Sequence, residues 1–138
     1  MKPWEQEHGR GFDVPSAIEH LVSRKVFIDT SWHNDTAPSF CISDPKNEEY
    51  GIRLWVDHPL KSLREMEGQR FGVTLGEFGT EADDEISTDE LEEALVQVFE
   101  WAKDARFDGT EIRKQPWWDD EAAPFELMQE FIEHWTRR

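Results

Sequence analysis

Residues 50–57 read Tyr50, Gly51, Ile52, Arg53, Leu54, Trp55, Val56, Asp57. Tyr50, Ile52, Leu54 and Val56 alternate with Gly51, Arg53, Trp55 and Asp57, and apolar residues at every second position define a strand with one buried face. His58 and Pro59 end it. Upstream, Val26, Ile28, Thr30 and Trp32 alternate with Phe27, Asp29 and Ser31, and residues 39–43 make a second apolar run. Turn-forming residues separate these strands, His33 through Pro38 in one place and Asp44 through Asn47 in the other. Downstream, a polar connection over 60–69 leads to a fourth strand over 70–75, with Phe71, Val73 and Leu75 on one face. Short connections between successive strands favour antiparallel neighbours, so the four strands are expected to form a meander.

Helical patterns flank the strands. Asp13 is a good N-cap ahead of Pro15, Ser16 stands three residues before Glu19, and Val14, Ala17, Ile18, Leu21 and Val22 recur at helical spacing as far as Arg24 and Lys25. After the fourth strand, Gly76, Gly79 and the acids from Glu81 to Glu85 read as a loop. Ser87 with Glu90 then reads as a capping box for a helix whose apolar stripe is Leu91, Ala94, Leu95, Val98, Phe99 and Ala102. Lys103 and Arg106 suit its C-terminus, and Asp108 and Gly109 break the chain. Residues 110–118 read as a short extended piece through Ile112, residues 119–123 as an acidic linker, and Pro124 opens a last helix with Met128, Phe131, Ile132 and Trp135 on one face. Residues 1–12 lack a period and read as a flexible tail from which Trp4 and Phe12 dock on the body. The expected architecture is a single α+β domain over 13–138, a four-stranded antiparallel β-meander covered by helices in the order α-β-β-β-β-α-α.

Composition bounds the rest. A chain of 138 residues with seven Trp and nine Phe supports a real core and argues against disorder, despite 33 % charged residues. The single cysteine, Cys41, has no partner for an internal disulfide, and neither a signal region nor an apolar run of membrane-spanning length is expected, which points to the cytoplasm. The formal net charge is −16. Residues 71–102 hold ten carboxylates and residues 115–136 hold six, with no Lys or Arg in either window; the other fifteen acids are matched by the fifteen Lys and Arg elsewhere. Such a field repels nucleic acid and anionic membranes and steers encounter with a basic protein surface.

Catalytic and cofactor signatures are sparse. In a meander, the end of the first strand (His33, Asp35) and the end of the third (Asp57, His58) emerge at one edge of the sheet, and two imidazoles with two carboxylates are ordinary ligands for zinc or iron. Asp and His beside Asn and Pro are also common turn material. Cys41, between Phe40 and Ile42, reads as a buried, inert thiol. The glycines at 72, 76 and 79 do not spell a phosphate loop, and no cofactor is implied.

The charge pattern therefore favours a non-enzymatic acidic protein-binding module. Its concrete form is an inhibitor, of immunity or anti-defence type, whose carboxylates stand where nucleic-acid phosphates would stand on a nuclease or another nucleic-acid-binding enzyme. The residues expected to meet the partner are Glu81, Asp83, Asp84, Glu85, Asp89, Glu92 and Glu93, a second patch of Asp119, Asp120 and Glu121, and Trp117 or Trp118 as an aromatic anchor. The alternative reading is a metal-dependent enzyme or metal-binding domain built on His33, Asp35, Asp57 and His58. A further alternative is an acidic secretion-type chaperone, which requires a homodimer; the other readings allow a monomer or a homodimer.

Overall fold

The computed structural model describes residues 3–8, 12–31, 37–44, 47–64, 68–103 and 110–136. Its elements are helix α1 (Pro3–Glu7), helix α2 (Ser16–Ser23), strands β1 (Ile28–Asp29), β2 (Ser39–Asp44) and β3 (Asn47–Val56), a 3₁₀ turn at Lys61–Leu63, strands β4 (Phe71–Glu77) and β5 (Asp84–Thr88), and helices α3 (Leu91–Ala102), α4 (Thr110–Arg113) and α5 (Pro124–Thr136). The architecture is α+β, an antiparallel sheet in the order β1-β2-β3-β4-β5 with helices over one face.

The register shows which face is which. Phe40 lies opposite Leu54, which lies opposite Val73, and Ile42, Ile52 and Leu75 form the neighbouring row. All six are buried, together with Val56 and Phe71. Helix α3 covers this face with Ala94, Leu95, Val98, Phe99 and Ala102, and α5 adds Leu127, Met128 and Phe131. Burying a Leu or Phe side chain of this kind stabilises a fold by about 1.5–3 kcal/mol. The expected stripe of α3 is the one the core uses, with Leu91 half-buried at its rim, whereas the buried face of α5 is rotated from the expected one: Leu127 joins Met128 and Phe131, and Ile132 and Trp135 are only half-buried.

Helix α2 stops by a hydrogen-bonded device that the sequence does not advertise. Lys25 adopts the left-handed conformation (φ 64), its N–H donates to the Val22 carbonyl at 2.9 Å, and the Val26 N–H donates to the Leu21 carbonyl at 2.9 Å. This is the Schellman pattern, with Val26 and Leu21 buried as its apolar pair. It holds Val26 and Phe27 against the helix, so both are buried in succession and the expected alternation over 26–32 fails there. Among the described residues only Ile28 and Asp29 pair as β1, and Ile28 is exposed.

Among the described residues the sheet has five strands, not four, and the element order differs from the expected one. The stretch read as an acidic loop and cap contains β5, whose register sets Glu85 opposite Thr74, Ile86 opposite Val73, and Thr88 opposite Phe71. An edge strand pairs on one side only, so its backbone bonds to β4 hold it without the apolar alternation a central strand needs. The cap also moves. Ser87 faces away from the helices, whereas Thr88 is buried beneath α3, where its hydroxyl accepts the Glu90 N–H (3.0 Å) and donates to Glu93 Oε2 (2.8 Å). The other departures are single helical turns: α1 ahead of α2, and α4, which is helical where an extended piece was expected and buries Ile112 completely. Trp4 of α1 is held by its N–H to Asp29 Oδ2 (3.0 Å) and by its indole N–H to Glu19 Oε1 (3.1 Å).

Candidate functional site

The β4–β5 hairpin carries a group of exposed charges. Gly76 (φ 153) and Gly79 (φ 84) hold backbone angles that L side chains rarely adopt, and a Cβ on Gly76 would lie 2.9 Å from the Asp83 nitrogen. The turn can therefore close only with glycine at 76. Around it Glu77, Glu81, Asp83, Asp84 and Glu85 are all exposed. Among the described residues none of the five lies within ion-pair distance of a Lys or Arg. Asp84 Oδ1 accepts the Glu85 N–H at 3.0 Å, which occupies one amide of the edge strand.

The remaining acids of the first window are differently employed. Asp89 Oδ1 accepts from Arg64 Nη1 at 2.7 Å and from the Arg70 N–H at 3.0 Å. The Arg70 backbone hydrogen bond first, and the Arg64 guanidinium after it, hold the Asp89 carboxyl below its ordinary range. Burial in turn lowers Arg70 from its ordinary value, offset in part by Asp13. Glu93 serves the Thr88 hydroxyl at the start of α3, and Glu92 stands exposed on its outer side.

The second expected patch is tied into the fold. Trp117 is 6 % exposed, with its ring 5.4 Å from Phe99 and 5.1 Å from Phe131, so it belongs to the core. Trp118 is half-buried and donates its indole N–H to Asp120 Oδ1 at 2.7 Å. The same oxygen accepts from Arg113 Nη1 at 2.7 Å, while Lys103 Nζ reaches the Asp120 carbonyl at 2.5 Å. Asp119 Oδ1 accepts the Glu121 N–H (2.9 Å), a local turn bond. The cations Lys103 and Arg113 also lie over the Trp118 ring, at 5.6 and 5.9 Å from its centre.

Of the residues expected to hold a metal, His33 and Asp35 lie outside the described residues. Asp57 and His58 are buried and serve the turn after β3: Asp57 Oδ1 accepts the His58 N–H (2.7 Å), and His58 Nδ1 accepts the Leu60 N–H (3.0 Å). Among the described residues no three of His, Cys, Asp or Glu are grouped so as to hold a metal ion. Cys41 is buried, and burial pushes its thiol up from the ordinary value against the opposing pull of the Thr30 hydroxyl and the Arg53 charge. No helix among the described residues is long and apolar enough to cross a membrane.

Two side chains with binding chemistry fall outside the expected sites. Arg53 and Trp55 occupy the alternate positions of β3, so they stand on the sheet face away from the helices, where Arg53 Cζ lies 4.4 Å from the centre of the Trp55 ring. Their signal was present in the alternation of residues 50–57, as the half of it that is not apolar. No family model, curated protein or solved structure matches this chain.

Proposed function

We propose that this chain is a non-enzymatic acidic protein-binding module, an inhibitor of immunity or anti-defence type that sets carboxylates against the phosphate-binding surface of a nuclease or another nucleic-acid-binding enzyme. One observation carries this reading: five exposed carboxylates on the β4–β5 hairpin, with no Lys or Arg within ion-pair distance among the described residues. Like charges gathered on one short hairpin repel one another and destabilise the compact state unless a cation from outside offsets them. A basic partner supplies that cation and is drawn in by the same field.

The test has two stages. A partner is captured on the immobilised chain from an extract of its own host and identified, and association of the two purified proteins is then followed by stopped flow at several salt concentrations. The expected result is an on-rate that falls steeply with ionic strength and that drops again when Asp83→Asn, Asp84→Asn and Glu85→Gln are combined. A partner that binds the combined variant at the parental rate, indifferent to salt, rules the reading out.

A further inference from the structure

The sheet face opposite the helices is covered at one side and open at the other. At β2, Ser39 and Cys41 are buried, and the Thr30 hydroxyl lies 2.9 Å from Ser39 Oγ and 3.3 Å from Cys41 Sγ. Across β3, β4 and β5 the same face carries the rows Arg53–Thr74–Glu85 and Trp55–Gly72–Ser87. Two hollows lie on these rows, of about 310 Å³ and 510 Å³, and both are lined by Trp55, Thr74 and Glu85. They therefore adjoin as one trough, which runs beneath the hairpin turn at one end and past Gln69 and Ser87 at the other. From Gly72 to Gly76 its floor is about 13 Å long at ~3.3 Å per residue, room for an extended segment of about four residues.

We infer that this trough is the seat of an extended, arginine- or lysine-bearing segment of the protein partner. The inference rests on the basic-partner reading above and names the surface that reads the partner's side chains. The lining sets the charge: Glu77, Glu81 and Glu85 against Arg53 alone, three carboxylates to one guanidinium. It also sets the shape. Gly72 stands directly across from Trp55 and adds no side chain to the floor, so the trough is open beside the indole, and a half-buried aromatic ring amid carboxylates receives the stem of a long cationic side chain while its head meets the acids. A polyanion is repelled by this lining, so nucleic acid is the wrong occupant.

The experiment follows the backbone amides and the indole N–H signals by NMR while octa-arginine is added to the ¹⁵N-labelled chain. The expected result is that Trp55, Thr74 and Glu85 shift together and saturably, that the shifts shrink as ionic strength rises from about 0.01 M to about 0.15 M, and that Thr74→Lys weakens binding about tenfold by placing a like charge on the floor. Ser87→Lys, at an exposed position on the same face, gives a second obstruction should Thr74→Lys disturb the fold. Shifts confined to residues 81–84, indifferent to either lysine, overturn the trough while leaving the acidic-hairpin reading intact. Absence of salt-sensitive shifts anywhere overturns both. Maltohexaose shifting Trp55 where octa-arginine does not also overturns the proposal, and reassigns the trough to a neutral saccharide.

Discussion

The two acidic stretches of this protein have similar sequences and different physics. At residues 119–121 the fold brings a cation to one carboxylate: Arg113 and the Trp118 indole share Asp120 Oδ1, while Lys103 reaches the Asp119 and Asp120 carbonyls. At the β4–β5 hairpin, the described residues bring no Lys or Arg within ion-pair distance of Glu77, Glu81, Asp83, Asp84 or Glu85. In the first set Asp120 is paired and Asp119 holds the turn, and Glu121 stands exposed. The second leaves its charge facing solvent. Net charge counted along a chain therefore says little about which acids are available to a partner, because availability depends on what the fold places within about 4 Å of each carboxylate.

Four measurements break or sharpen that contrast. The largest effect is expected at Trp117, which roots the 119–121 turn in the core against Phe99 and Phe131. Trp117→Ala should cost about 3–5 kcal/mol of stability, read as a lowered midpoint in urea unfolding. A loss under about 1 kcal/mol would mean that this turn is not anchored as described.

Next comes charge reversal on the hairpin. Asp83→Lys with Asp84→Lys should slow association with a basic partner by about a hundredfold at low salt, while stability stays within about 0.5 kcal/mol of the parent. The equivalent exchange in the other patch inverts that pattern. Asp120→Asn should cost about 0.2–1 kcal/mol in thermal or urea unfolding, through the lost Arg113 pair, and should leave the association rate unchanged.

The smallest effect is at Asp89, an acid of the hairpin's own window that the fold does neutralise. Its carboxyl is held below its ordinary range in the folded chain, by the Arg70 N–H first and by Arg64. The folded state therefore favours the ionised form. That contribution is present above the unfolded carboxylate's value near about 4 and is lost as pH falls through the folded value. A ¹³C NMR titration should give Asp89 a midpoint below that of a free aspartate, and Arg64→Gln should move the midpoint back upward.

How far these differences were legible beforehand can be argued residue by residue. The alternation at residues 50–57 and 71–75 placed the buried face of β3 and β4, and the spacing from Leu91 to Ala102 placed the core stripe of α3. Such patterns are visible because a side chain's face is fixed by its own backbone period. β5 was hidden, since Asp84, Glu85, Ser87 and Thr88 carry no apolar alternation and the strand exists by pairing with β4. For the same reason the expected capping box of Ser87 with Glu90 does not form: pairing with β4 turns Ser87 away from the helices, and the Glu90 N–H goes to Thr88 instead. The ten expected partner-facing acids all stand exposed, but Asp89 and Asp120 pair with Arg64 and Arg113, and Asp84, Glu93 and Asp119 accept hydrogen bonds within the chain. Nothing in a run of acids tells these apart.

The sequence by itself determined the class of architecture, the central strands, the two long helical stripes and an excess of negative charge, because each follows from local periodicity or from counting. Tertiary structure alone decided that β5 exists, that Trp117 lies in the core, that Thr74 and Glu85 line up beside Arg53, and which acids find cations. Those outcomes depend on distances between residues far apart in the chain, as in the 2.7 Å contact that joins Arg64 to Asp89. A linear pattern carries no record of such distances until the sheet has set its register.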